Sequence, residues 1–243
     1  MRCELNALTP ALLASAFAIG TVGITSTALG NAAIPSSWEV ASEFYDDSSA
    51  ATACYGVWCY GYETALGNNA TWVVFNTWIS RDPPSCGGAD DVVGWGPGPG
   101  NSLAIVHNKL DQFYTSCPTG VPVPYPAHAL DFLPGNNCEW AVLRFTVPDV
   151  PKKGRFKISG QWYGLWDDNG GYENADVNIL INDVSVYAGL IDMASGPKHV
   201  SFSSITKALH KGDRIDFAVG CGTNGNNYYD HVGLNAVIER LLP

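Results

Sequence analysis

Gly212-Asp213-Arg214-Ile215-Asp216-Phe217-Ala218-Val219-Gly220 is the stretch from which the fold is read. Ile215, Phe217 and Val219 alternate with Arg214, Asp216 and Ala218, which is the period of a half-buried β-strand with one apolar and one mostly polar face. Gly212-Asp213 and Gly220 supply turn residues at its ends. The second half of the chain repeats this design. Glu139–Val147 sets Ala141, Leu143, Phe145 and Val147 on one side, and Arg155–Trp162 sets Phe156, Ile158, Gly160 and Trp162 opposite Arg155, Lys157, Ser159 and Gln161. In His231–Ile238 the apolar set is Val232, Leu234, Ala236 and Ile238. Asp176–Ile181 and Val184–Tyr187 flank Asn182-Asp183, a hairpin signal.

Strands at about ten-residue spacing with turns between them predict a two-layer, all-β antiparallel sandwich. Gly 26, Pro 15 and the aromatic content (Trp 8, Tyr 11, Phe 9) agree with a turn-rich β-protein. The predicted organisation is a signal peptide at 1–32 and one sandwich domain at 33–243, loop-rich over 33–126 and strongly patterned over 127–243. In the loop-rich part Trp38–Phe44, Val57–Glu63, Thr71–Trp78 and Leu103–His107 read as strands. Arg81–Gly100 is a long Gly/Pro loop, and Cys117–Pro126 is extended but too proline-rich for a central strand. Ala127–Leu133 is a further strand, and Ser203–Lys211 is the one place that suits a helical turn.

The succession Leu133-Pro134-Gly135, Ala141-Val142-Leu143-Arg144-Phe145, Gly154-Arg155-Phe156-Lys157-Ile158, Asp176-Val177-Asn178-Ile179, Gly212 to Gly220 and Asp230-His231-Val232-Gly233-Leu234 resembles exported bacterial jelly-roll domains similar to carbohydrate-binding modules. That resemblance covers the last half of the chain firmly and the first half loosely. It implies a β-sandwich at or outside the cell surface and brings no catalytic residues with it.

Arg2 is followed by an apolar, small-residue run from Ala7 to about Gly30, ending in Ala28-Leu29-Gly30 and Gly30-Asn31-Ala32, which suits a cleaved leader. The run is also long enough for a retained anchor; its Gly/Thr content and small-residue exit favour cleavage. No later segment suits a membrane span. Cys3 leaves with the leader, and Cys54, Cys59, Cys86, Cys117, Cys138 and Cys221 remain, an even number that in an exported chain reads as disulfides. The expected pairs are Cys54 with Cys59, Cys86 with Cys117, and Cys138 with Cys221. Asn69-Ala70-Thr71 matches the N-glycosylation triplet. The formal net charge of −10 disfavours nucleic acid and anionic membranes as partners and suits a neutral ligand or a cation.

Trp162–Asp176 is the loop richest in chemistry. Asp167, Asp168, Asn169 and Glu173 carry the hard oxygen donors calcium prefers, with Asp167, Asp168 and Glu173 as the metal candidates; an Asx-rich solvated turn is the alternative. Trp166, Tyr172, Tyr228 and Tyr229 sit in or near turns beside Asp, Asn and Gly, and with Asn169 they are the candidate sugar contacts, since sugar C–H faces stack on rings while hydroxyls bond amides. Capping the open ends of the sandwich is the other role for those rings. Asp230 is expected to tether the 222–230 loop through backbone N–H groups. The 162–176 and 222–230 loops are expected at one end of the sandwich.

No Gly-x-Ser-x-Gly, His-Glu-x-x-His or phosphate loop is present. The expectation is therefore a non-catalytic, exported carbohydrate-binding protein. A structural or adhesive surface protein is the first alternative, and a glycan-cleaving enzyme using Glu173 with Asp167 or Asp168 the second.

Overall fold

The computed structural model describes residues 36–81, 91–98, 101–115, 124–149, 154–165 and 173–241. Among them, in chain order, are strands β1 (Ser37–Glu39), β2 (Cys54–Tyr55), β3 (Trp58–Glu63), β4 (Val73–Val74), β5 (Thr77–Ser80), β6 (Val92–Gly96), β7 (Ala104–Asn108), β8 (Tyr114–Thr115) and β9 (Pro124–Tyr125). β10 (Leu130–Leu133), β11 (Trp140–Thr146), β12 (Gly154–Gly164), β13 (Asn174–Ile181), β14 (Val184–Asp192), β15 (His199–Leu209), β16 (Arg214–Gly220) and β17 (Val232–Leu241) follow. The larger sheet runs β15-β12-β17-β10-β7-β6-β5, with β1 also on β17; the smaller runs β14-β13-β16-β11-β3-β2, with β4 on β3. All these pairings are antiparallel. The protein is a jelly-roll-like β-sandwich.

The period-2 residues read from the sequence face inward. Ile215, Phe217 and Val219 of β16, with Leu143 and Phe145 of β11, meet Phe156, Ile158 and Trp162 of β12 and Leu234 and Ile238 of β17 in one core cluster. Trp162 lies 5.5 Å from Phe132 and 6.2 Å from Phe217, both edge-on. Asn182 and Asp183 both have positive φ, 49° and 69°, which gives the two-residue turn between β13 and β14 the twist of its strands.

Four expectations need correction. Trp38–Phe44 pairs only over β1; the chain then turns, with Glu43 N–H donating to Glu39 C=O at 3.1 Å. Thr71–Trp78 is split into β4 and β5. Ser203–Lys211 holds no helical turn, because β15 continues through Leu209. It is an edge strand whose described side chains are mostly exposed, so it needs little apolar alternation. The fourth correction concerns the polar face of β16, which is not solvated. Arg144 donates to both Asp216 oxygens (2.7 and 2.9 Å), to Glu63 (3.1 Å) and to Asn69 Oδ1 (2.8 Å), all on the outer side of the smaller sheet. The Trp72 ring covers the guanidinium at 4.1 Å, a cation–π contact over a buried ion network. Asn69, the glycosylation candidate, thus spends its side-chain oxygen on Arg144.

Cys54–Cys59 and Cys138–Cys221 form disulfides with sequence separations of 5 and 83. Cys86 and Cys117 lie outside the described residues.

Phe217 is fully buried. Truncation to Ala removes the ring that packs against Trp162 and leaves a cavity between the sheets, so Phe217→Ala should cost about 3–5 kcal/mol in urea or thermal denaturation. A melting temperature within a degree or two of wild type would contradict this packing.

Candidate functional site

Because Phe156, Ile158 and Trp162 point into the core, Gln161 and Tyr163 point outward from β12. Opposite Tyr163 in the register stands Gly233 of β17. With no side chain there, the Tyr163 ring lies across the strand; a Cβ on Gly233 would run into its Cδ2, Cε2 and Cζ atoms. Beyond Gly233, on β10, is its other register partner, Asp131. Asp131 is fully buried, and its Oδ2 lies 2.7 Å from His231 Nδ1. Its Oδ1 has no hydrogen-bond partner among the described residues. Burial, and then the Asp131 charge, push the Tyr163 hydroxyl up to about 12.

This face carries an open cleft of about 430 Å³. It is lined by Gln161, Tyr163 and Gly164 of β12 and Asn235 of β17, together with Pro126, Ala127, Met193, Lys198 and His199. Gln161 and Asn235 are register partners, so two side-chain amides sit side by side next to the tyrosine ring. A ring flanked by amides offers an apolar surface together with paired donors and acceptors.

The cleft borders the loop end of the sandwich. Gly164 pairs with Val232 and Asp176 with Gly220, so the 165–173 and 221–231 segments leave from the same end. Their roots are joined: Leu165 N–H donates to His231 C=O (2.9 Å), Asn174 N–H to Asp230 Oδ1 (3.0 Å) and Thr223 N–H to Asn174 Oδ1 (2.7 Å). The Cys138–Cys221 disulfide fixes the start of the second segment. The loop expected over Trp162–Asp176 is shorter than its sequence suggests, since Trp162 belongs to the core and Asp176 to β13.

Of the residues named from the sequence, Trp166, Asp167, Asp168, Asn169 and Tyr172 lie outside the described residues. Glu173 is fully buried rather than solvent-facing, its carboxylate oxygens 2.9 and 3.0 Å from where a Cβ on Gly164 would stand. Tyr228 and Tyr229 are exposed, at 72% and 39%. Asp230 ties the start of β13, through the Asn174 N–H, to its own loop. Glu63, Asp183 and Asp216 bring carboxylate oxygens within 4.8 Å of one another. Arg144 pairs with two of them and Arg214 with Asp183 at 2.7 Å, so the fold itself supplies their cations. Gln161, Tyr163, His199 and Asn235 were not singled out from the sequence. The outward phase of β12 was the available signal for the first two.

Asp230 is 1% exposed, and burial pushes its carboxyl up to about 8 against the pull of the Asn174 N–H. An unfolded Asp titrates near ~3.9. Between these values the folded chain holds a proton that the unfolded chain has released, so stability from this group falls as pH rises from about 4 to about 8, by at most ~1.4 kcal/mol per unit. Asp230→Asn keeps an acceptor and removes the titration. Urea denaturation from pH 4.5 to 8 should show the variant gaining on wild type with rising pH, and parallel profiles would contradict the burial.

No family model matches the chain, and no curated protein matches its sequence. Solved structures are similar to parts of it. A family 51 carbohydrate-binding module from Clostridium perfringens, in complex with methyl-galactose, is 13% identical over 58% of this chain and 92% of that one, with a TM-score of 0.35. A family 61 carbohydrate-binding module in complex with β-1,4-galactotriose is 12% identical over 46% and 70%, TM-score 0.29. An insecticidal delta-endotoxin from Bacillus thuringiensis is 12% identical over 47% and 20%, TM-score 0.28. Carbohydrate-binding modules are thus among the solved structures this chain is similar to, as its sequence resemblance implies. At these scores the sandwich assignment rests on the strand pairing above and not on the likeness.

Proposed function

We propose that this protein binds a neutral carbohydrate without cleaving it, in the cleft on the outer face of the larger sheet. The observation that supports this most is the Tyr163 ring laid across Gly233 beside the paired amides of Gln161 and Asn235. A sugar ring stacks its C–H face on such a tyrosine and exchanges hydroxyl hydrogen bonds with the amides. The chain's charge of −10 favours a neutral ligand over an anionic one. A binding rather than hydrolytic role fits the carboxylates behind the cleft: Asp131 and Glu173 are both fully buried. Glycoside hydrolysis instead calls for two carboxyl groups flanking the bond, about 5–9 Å apart.

The reading includes export, with the leader removed and the disulfides formed in an oxidising compartment. Among the described residues no helix is long and apolar enough to cross a membrane. It also retains Trp166, Tyr172, Tyr228, Tyr229 and Asn169 as contacts for parts of the ligand beyond the cleft, and calcium as the ion for Asp167, Asp168 and Glu173. A structural or adhesive surface protein remains the alternative.

Affinity electrophoresis against soluble neutral polysaccharides tests the cleft. Gln161→Ala and Asn235→Ala should each weaken retardation about five- to tenfold, equivalent to ~1–1.4 kcal/mol, with melting temperatures near wild type. Unchanged affinity in the folded double variant would remove the cleft from the account. Release of reducing sugar by wild type, abolished in Glu173→Gln, would move the reading to a glycan-cleaving enzyme. Chelation should lower the melting temperature if the acidic loop holds calcium, and an unchanged melt would remove the ion.

A further inference from the structure

Tyr55 is 66% exposed. It stands on β2, directly before the Gly56-Val57 turn and opposite Trp58, and the Cys54–Cys59 disulfide joins the neighbouring register pair. Gly56 has φ +60°, the left-handed geometry a two-residue hairpin turn favours, and the Val57 carbonyl accepts from Thr146 N–H at 2.8 Å. The hairpin is held from both sides.

The ring itself is also held. Tyr55 stacks on Tyr45, centroids 4.6 Å apart and planes 12° apart; Tyr45 stacks in turn with Trp95 at 6.1 Å and 15°. Trp95 is fully buried, so three near-parallel rings lead from core to surface. Tyr45 is fixed at three points: its N–H donates to the Tyr60 hydroxyl (2.9 Å), its carbonyl accepts from Trp95 Nε1 (2.6 Å), and its hydroxyl donates to Asp47 Oδ2 (3.4 Å). An exposed tyrosine in such a frame has little conformational entropy left to lose on binding.

We infer that Tyr55 is a second carbohydrate platform, on the opposite sheet from the cleft; this rests on the proposed glycan-binding reading and extends it to a second point of contact. An exposed aromatic face held this rigidly suits the C–H face of a neutral sugar. Behind it Tyr45 is tied to Asp47, whose other carboxylate oxygen accepts from Ser49 Oγ at 2.6 Å, and Asp46, next to Tyr45 in the chain, pairs with Lys109 at 3.7 Å. The carboxylates oppose a phosphate-bearing ligand. A single ring among charged side chains is also too small for an apolar protein interface. Two platforms on one module raise the apparent affinity for a long chain that reaches both, or cross-link separate chains.

The test uses the mature protein, a panel of soluble galactan, mannan, xylan and mixed-linkage glucan, and affinity electrophoresis backed by calorimetry. Tyr55→Ala should weaken binding about tenfold or more with little change in melting temperature, while Tyr55→Phe, which keeps the ring, should bind like wild type. Adding Tyr55→Ala to the Gln161→Ala/Asn235→Ala protein should remove the binding that protein retains. Wild-type affinity in Tyr55→Ala alongside a defect in the cleft variants would overturn the platform and leave the cleft standing. A defect in Tyr55→Ala with normal cleft variants would do the reverse. Equal losses in Tyr55→Phe and Tyr55→Ala, or binding of a proline-rich peptide in place of the glycans, would overturn ring stacking on sugar. A wild-type protein that binds none of the panel would overturn both sites.

Discussion

Trp162 packs edge-on against Phe132 in its own sheet and against Phe217 across the sandwich, and that contact fixes more than stability. Side chains on a strand alternate, so a buried Trp162 forces Gln161 and Tyr163 onto the outer face. Slipping β12 by one residue would bury a glutamine and a tyrosine and turn the tryptophan into the cleft. The register that fills the core is thus the register that builds the site. Gly233 completes it by leaving room for the Tyr163 ring between β12 and β10.

The same logic explains the outer face of the smaller sheet. Arg144 and Asp216 occupy the outward phase of β11 and β16, and the segment before β4 folds over them. Removed from water, the guanidinium is satisfied by Asp216, Glu63 and Asn69 and covered by Trp72. Burial pushes the Asp216 and Glu63 carboxyls upward while Arg144 pulls them back. Losing Arg144 would leave these buried acids uncompensated, a larger penalty than the net value of the pairs.

The strands of the patterned half were legible because each central strand buries one clean period-2 set, as Ile215, Phe217 and Val219 show. The Asn182-Asp183 turn was legible because its backbone requires positive φ at both positions. The course of β15 was not, since an edge strand with few buried side chains carries little alternation and Ser203–Lys211 gives no strand signal of its own. Nor did the burial of Asp131, Arg144 and Asp216 show: whether an outward residue meets water depends on which distant segment crosses above it. The cleft was hidden for the same reason. Its parts come from residues 126–127, 161, 163–164, 193, 198–199 and 235, each unremarkable in its own neighbourhood. The sequence drew attention to the loops instead, and the structure places Leu165, the start of β13 and the 221–231 segment at the end the cleft borders.

The most direct test is an amide-resolved NMR titration of ¹⁵N-labelled protein with a neutral oligosaccharide from a polysaccharide that it binds. The account predicts shifts in the Gln161 and Asn235 side-chain amides and the Tyr163 and Gly233 backbone, with the buried Trp162 indole left in place. Saturating ligand that moves none of these resonances would contradict a sugar site on this face.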